Sequence, residues 1–142
     1  MGKSNFDRMN KKIRWGIVGP GHIAHSFAKD LQLVPDGELV AVGSRNYDRA
    51  KEFGEIYGAS RFFGSYEELF NCKEIDVIYI AAPHTSHAEH SIAAMDHGIP
   101  VLCEKPLGVN TAEVESIIAA SERNNVFLME ALWSRFNPTI RK

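Results

Sequence analysis

Apolar residues first gather at 13–18, a short run with β-branched members that Gly19 ends. A run of that length, closed by glycine, predicts a buried strand. Over 22–34 the period changes: Ile23, Phe27, Leu31 and Val34 recur at spacings of four and three. That is the stripe of an amphipathic helix, stopped by Pro35 and Gly37. A second strand is expected over 39–43, then a helix capped by Asn46 and running to 57, with Gly58 as its C-cap. A third, weaker strand falls at 61–63, and Ser65 with Glu68 spells a capping box for a short helix to 70.

The second half repeats the alternation. A strong apolar strand covers 75–82 and Pro83 ends it; a helix follows to 96, closed by Gly98. The pattern then gives a strand over 100–103, a helix capped by Asn110 or Thr111 to about 123, and a strand over 126–129. From 131 another element starts. Short apolar strands alternating with helices, joined by a few residues, imply an α/β fold with a parallel sheet covered on both faces. Right-handed crossovers make the doubly wound Rossmann sheet the expected topology. No internal repeat or low-complexity segment interrupts it.

The length of 142 residues fits one such domain. Residues 1–10 read as a flexible leader, 11–130 as the domain, and 131–142 as the start of a connection to a second domain. Hydrophobic residues at 44% and charged residues at 24% are ordinary for a globular protein. A net charge of −2 supplies no basic field for nucleic acid or anionic lipid. The first residues are polar and carry Lys3, Arg8, Lys11, Lys12 and Arg14, unlike a signal peptide, and no apolar run is long enough to span a membrane. Cys72 and Cys103 form no CxxC pair, which suits a reducing compartment. The expected setting is cytoplasmic, without nucleic-acid or membrane partners.

Candidate chemistry begins where the first strand ends. Gly19-Pro20-Gly21-His22-Ile23-Ala24 is G-x-G-x-x-A, with a strand before it and a helix after it. In a dinucleotide site the first glycine makes the tight turn and the second lets the pyrophosphate approach the backbone. The small third residue packs helix on strand, and the phosphates meet the helix N-terminus. NAD sites add an acid at the tip of the second strand; here the tip reads Val42-Gly43-Ser44-Arg45-Asn46. Asp48 and Glu52 fall in the following helix. Ser44 and Arg45, with Arg49 about one helical turn on, suit a 2′-phosphate, so NADP is expected with NAD possible. The alternative is a solvated helix start with ordinary surface arginines.

Two further motifs close successive strands: Ala81-Ala82-Pro83-His84-Thr85-Ser86-His87 and Cys103-Glu104-Lys105-Pro106-Leu107. With the glycine loop they resemble the glucose–fructose oxidoreductase/inositol dehydrogenase family (Gfo/Idh/MocA), whose first domain carries P-[NH]-x-x-H and E-K-P at these places. Met129-Glu130-Ala131-Leu132-Trp133-Ser134-Arg135-Phe136-Asn137-Pro138 resembles the branch of dimeric dihydrodiol and NADP-dependent D-xylose dehydrogenases. The likeness runs over 12–138.

The resemblance implies hydride transfer between NADP and a sugar or cyclic diol. It implies Lys105 as the catalytic residue, its ammonium beside the reacting oxygen, and Pro106 stiffening the turn that aims it. Ala82, Pro83, His84, His87, Glu104, Lys105, Pro106, Trp133 and Arg135 then join the glycine loop, Ser44, Arg45 and Arg49 around the cofactor. Trp133 and Phe136 also read as apolar surface meant for a second domain. That domain carries the remaining acid–base residues in the family, so this chain is expected to bind cofactor without turning over, and to pair through its uncovered apolar groups as a homodimer. A non-catalytic nucleotide-binding or regulatory module is the alternative.

His84, His87 and His90 invite a metal, but neither H-E-x-x-H nor H-x-x-E-H is present. His84 and His87 are expected near the cofactor and His90 at the surface. Cys103, at a strand end, reads as a buried inert thiol. No G-x-S-x-G elbow points to a hydrolase.

Overall fold

A computed structural model describes residues 11–140; the expected leader at 1–10 lies outside them. Six parallel strands form one sheet in the order β3-β2-β1-β4-β5-β6. They are β1 Ile13–Val18, β2 Gly37–Gly43, β3 Arg61–Phe63, β4 Val77–Ile80, β5 Val101–Glu104 and β6 Leu128–Ala131. The helices are α1 His22–Leu31, α2 Tyr47–Tyr57, α3 Tyr66–Phe70, α4 His87–Asp96 and α5 Thr111–Asn124, with 3₁₀ turns at His84–Ser86 and Trp133–Phe136. The order reverses between β1 and β4, so the crevice of a doubly wound sheet opens there, at the carboxyl ends of the strands.

Local chemistry sets the boundaries. Asn46, Ser65 and Asn110 each accept a backbone N–H from the first turn of the helix they precede. The Ser65 cap makes the expected bond to the Glu68 N–H. Gly58 ends α2 at φ 80, the left-handed stop its sequence position suggested.

Two apolar cores lie on the two faces of the sheet. Ile17, Val42 and Tyr79 pack with Ala24, Ala28, Leu31 and Phe53 from α1 and α2. Val18, Ile78, Ile80, Val101 and Cys103 pack with Leu69, Met95 and Ile117 from α3, α4 and α5. Phe27 of α1 stacks on Tyr79 with ring centres 3.9 Å apart. Beyond that pair the first face opens into a cavity of about 660 Å³, lined by Trp15, Phe27, Tyr79, Leu102, Met129 and Trp133 among others. No helix among the described residues is long and apolar enough to cross a membrane.

Candidate nucleotide-binding crevice

The glycine loop carries the backbone geometry its sequence demands. Gly19 sits at φ +86, and a Cβ there would lie 3.0 Å from the Ala82 Cα, so β1 and the β4 loop close on each other only through glycine. Its N–H donates to the Gly43 carbonyl at 3.1 Å, tying the loop to the tip of β2. A Cβ on Gly21 would meet nothing within 4 Å, so that side of the loop is open to a ligand. Gly21 is the N-cap of α1 and offers no side-chain acceptor, and the first turn holds no acid. The first N–H groups of α1 are therefore left without a side-chain cap, the arrangement that receives a phosphate. Ala24 is fully buried and fulfils the packing role of the third position. His22 and Ile23 are exposed on the first turn beside it.

Past the tip of β2, Ser44 is buried and its Oγ accepts the Asn46 N–H at 3.2 Å. Asp48 lies in the first turn of α2, leaving no carboxylate at the tip itself. Arg45 and Arg49 are exposed, and both bear electrostatically on the half-buried Tyr66 hydroxyl. Burial pushes that phenol above the ordinary tyrosine range, and the two guanidiniums oppose the shift. Two exposed arginines thus follow Ser44, both near enough to act on the Tyr66 hydroxyl.

The β4 loop divides into exposed and buried members. Ala82 is buried, while Pro83 and His84 are exposed at its turn. His87, expected near the cofactor, does not present its ring at the surface. It is fully buried, with Nδ1 2.7 Å from the Pro106 carbonyl and Nε2 2.8 Å from the Ala82 carbonyl, so it ties two loops together beneath the surface. A neutral ring carries one N–H and donates to one of these oxygens; a doubly protonated ring donates to both.

His90, expected at the surface, is buried against Tyr66 with ring centres 4.4 Å apart. Helical periodicity explains the difference, because residue 90 lies one turn after His87 on the face that α4 presents to the sheet. Burial lowers the His90 pKa. Among the described residues no group of three potential metal ligands comes together.

At the end of β5, Glu104 is buried rather than exposed to the crevice. Its Oε1 accepts the Tyr79 hydroxyl at 2.5 Å and the Trp133 Nε1–H at 3.2 Å, and its Oε2 accepts the Lys105 N–H at 3.2 Å. Tyr79 is driven far above its ordinary pKa, first by burial and then by this carboxylate. Lys105 and Pro106 are exposed, joined by a cis peptide bond. The Lys105 ammonium has no hydrogen-bond or ion-pair partner among the described residues and remains available to a ligand. Trp133 and Arg135 lie on the exposed 3₁₀ turn after β6, with the Trp133 ring held to Glu104.

Two residues that matter here were not singled out from the sequence. Glu130 of β6 accepts the Leu107 N–H at 2.6 Å, and Tyr79 of β4 donates to Glu104. A polar residue at the end of a strand was the available signal; the register that gives it a partner was not.

The family profile described as "Oxidoreductase family, NAD-binding Rossmann fold" (GFO_IDH_MocA) matches residues 13–132. The chain belongs to this family. It is 45% identical over 127 residues to a trans-1,2-dihydrobenzene-1,2-diol dehydrogenase of Xenopus laevis, covering 88% of this chain and 38% of that protein. The enzyme of the same name from Mus musculus is 44% identical over 130 residues, covering 90% and 39%. The chain thus spans about two fifths of the length of these curated relatives. Among solved structures, a 3-ketoreductase from Actinomadura kijaniata in complex with NADP, KijD10, superposes with a TM-score of 0.88 at 32% identity, covering 92% of this chain and 42% of that one. An NAD-binding oxidoreductase from Klebsiella pneumoniae gives 0.84 at 26% identity, with 92% and 37% covered. The expected doubly wound sheet is the one this family builds.

Proposed function

We propose that this chain is the dinucleotide-binding part of an NADP-dependent dehydrogenase that oxidises a sugar or a cyclic diol. The observation that carries the reading is the loop Gly19 to Ala24: its tight turn at positive φ, its open side at Gly21 and the uncapped start of α1 together make a pyrophosphate cradle. The acid-free tip of β2 supports NADP over NAD. Ser44 holds the turn, and Arg45 and Arg49 supply guanidiniums suited to a 2′-phosphate. The diol or sugar class rests on the relatives, which include dihydrodiol dehydrogenases and a 3-ketoreductase.

The nicotinamide of such a cofactor supplies the hydride acceptor. The chain supplies the residues around it, and taking up the substrate's hydroxyl proton falls to the rest of the enzyme that carries this domain. Pro83 and His84 border the crevice, and Lys105 offers its exposed ammonium to the substrate hydroxyl oxygen, stabilising negative charge as the C–H bond breaks. His87 and Glu104 act from beneath, on the loops that carry these groups. A cytoplasmic homodimer completes the proposal, with both cysteines free and an exposed apolar surface around Leu132 and Trp133.

Hydride transfer from D-xylose and trans-cyclic diols, followed by NADPH absorbance in the enzyme that carries this domain, tests the activity. Lys105→Ala should lower kcat far more than it alters cofactor affinity. A loss under about tenfold, roughly 1.4 kcal/mol, contradicts the catalytic role.

A further inference from the structure

Three ionisable side chains from three elements close on the short turn that carries Lys105. Glu104, the last residue of β5, takes the Lys105 N–H through Oε2. Glu130 of β6 takes the Leu107 N–H at 2.6 Å. His87, the first residue of α4, reaches the intervening Pro106 carbonyl at 2.7 Å. Polar atoms of three consecutive residues are held, while the Lys105 ammonium itself is held by none of the described residues.

Strand alternation shows that the grip comes from both sides of the sheet. Cys103 pairs with Ile80 and with Glu130, and both Ile80 and Cys103 belong to the core under α3, α4 and α5. Glu130 therefore approaches the turn from that face, as does His87. Glu104 pairs with Ala131 and reaches Tyr79, which belongs to the opposite face. The β5 exit is clamped between two carboxylates, one above the sheet and one below.

We propose that Glu130 is a positioning residue for Lys105, fixing with His87 and Glu104 where the Lys105 ammonium enters the crevice. This rests on the reading of Lys105 as the group that meets the substrate oxygen beside the cofactor. The Glu130 bond is the shortest of the three and is charge-assisted, and it acts on the far side of Pro106, where Glu104 does not reach. Without it, the turn would be tied at Lys105 and Pro106 alone and could swing about that end.

The test compares Glu130→Ala, which removes the acceptor, with Glu130→Gln, which keeps an acceptor oxygen. Two quantities are read on each 142-residue protein: hydrogen exchange at the Leu107 amide, and acylation of Lys105 by an amine reagent with and without NADPH, located by peptide mass spectrometry. Glu130→Ala should speed Leu107 exchange by about tenfold or more, as expected for losing one charge-assisted bond. It should also remove NADPH protection of Lys105, while the glycine loop keeps NADPH bound. Glu130→Gln should recover most of both. Unchanged Leu107 exchange and unchanged Lys105 protection in Glu130→Ala overturn the proposal. If NADPH fails to protect Lys105 in the wild type, the reading of Lys105 beside the cofactor fails; protection present in the wild type and kept in full by Glu130→Ala overturns the positioning role even where Leu107 exchange is faster. If the alanine variant does not fold, Glu130→Asp, whose shorter side chain withdraws the acceptor, must speed Leu107 exchange and weaken NADPH protection of Lys105; no change in either overturns the proposal.

Discussion

The Cys103 thiol lies fully buried in β5, with its sulfur 3.4 Å from the Glu104 carbonyl, and burial pushes its pKa up to about 12. Because the thiolate is the reactive form, such a sulfur is inert at neutral pH. Cys72 is only partly buried. A thiol reagent should therefore modify Cys72 in the native protein and reach Cys103 only on unfolding, which peptide mapping before and after denaturant will read; equal native rates would contradict it. A second residue-scale expectation concerns Tyr79. Tyr79→Phe removes one of the three donors on the buried Glu104 carboxylate and should cost about 1–3 kcal/mol in a denaturant titration. A change within experimental error would show that the bond carries no stability. At this scale the sequence was legible wherever one residue suffices. Cys103 could be read as inert from its apolar strand, and Gly19 as a turn from its place in the loop. His87, His90 and Glu130 were not, because burial and partnership depend on which face of an element meets the sheet.

Among the elements, β1 and the lead into β4 are joined by one acid–base pair. Arg14 donates its backbone N–H to Asp76 Oδ2 at 2.9 Å and its guanidinium to both carboxylate oxygens. The side-chain hydrogen bond from Arg14 is the chief reason the Asp76 carboxyl stays below the usual range. A carboxyl depressed in the folded state stabilises the fold above its unfolded pKa of about 3.9, and this is lost as pH falls through the folded value. Asp76→Asn should thus destabilise by about 1 kcal/mol near neutrality, the side chains being part exposed, with the deficit shrinking in acid below about pH 4. A deficit that does not change with pH would contradict this origin. The same pair shows why a strand boundary was misjudged. The apolar run 75–82 reads as one strand, but β4 is Val77–Ile80, because Asp76 is tied to Arg14 and Ala81-Ala82 turn into the crevice loop. Strand β6 begins two residues later than its apolar run suggests. Asn125, at φ 50, is the left-handed cap of α5, and the Val126 N–H still donates back to the Ser121 carbonyl. Caps at Asn46, Ser65 and Asn110 were legible since a cap is chemistry within four residues.

At the scale of the whole molecule, one face of the sheet is closed by α3, α4 and α5, while the other opens past Phe27 into the apolar cavity of about 660 Å³. Its border includes Leu132 and Trp133, both well exposed. Apolar surface of this kind draws a partner, and a two-fold pair is the commonest closed assembly. Light scattering should show mass rising with concentration, and Leu132→Lys should return the protein to a monomer; a wild-type monomer at every concentration would remove dimerisation from the account. The overall sheet was legible because alternation of strand and helix admits few topologies. Of the cavity only the Trp133 and Phe136 border was legible; Trp15, Phe27 and Leu102 look in sequence like residues already packed. The loop from Gly19 and the arginines beyond β2 are proposed to bind NADP. Calorimetric titration of the 142-residue protein with NADPH and with NADH, repeated on Arg45→Ala, measures this. NADPH should bind more tightly, and Arg45→Ala should weaken it by about 1.5–3 kcal/mol while leaving NADH nearly unchanged. Equal affinity for the two, or a preference for NADH, would contradict it.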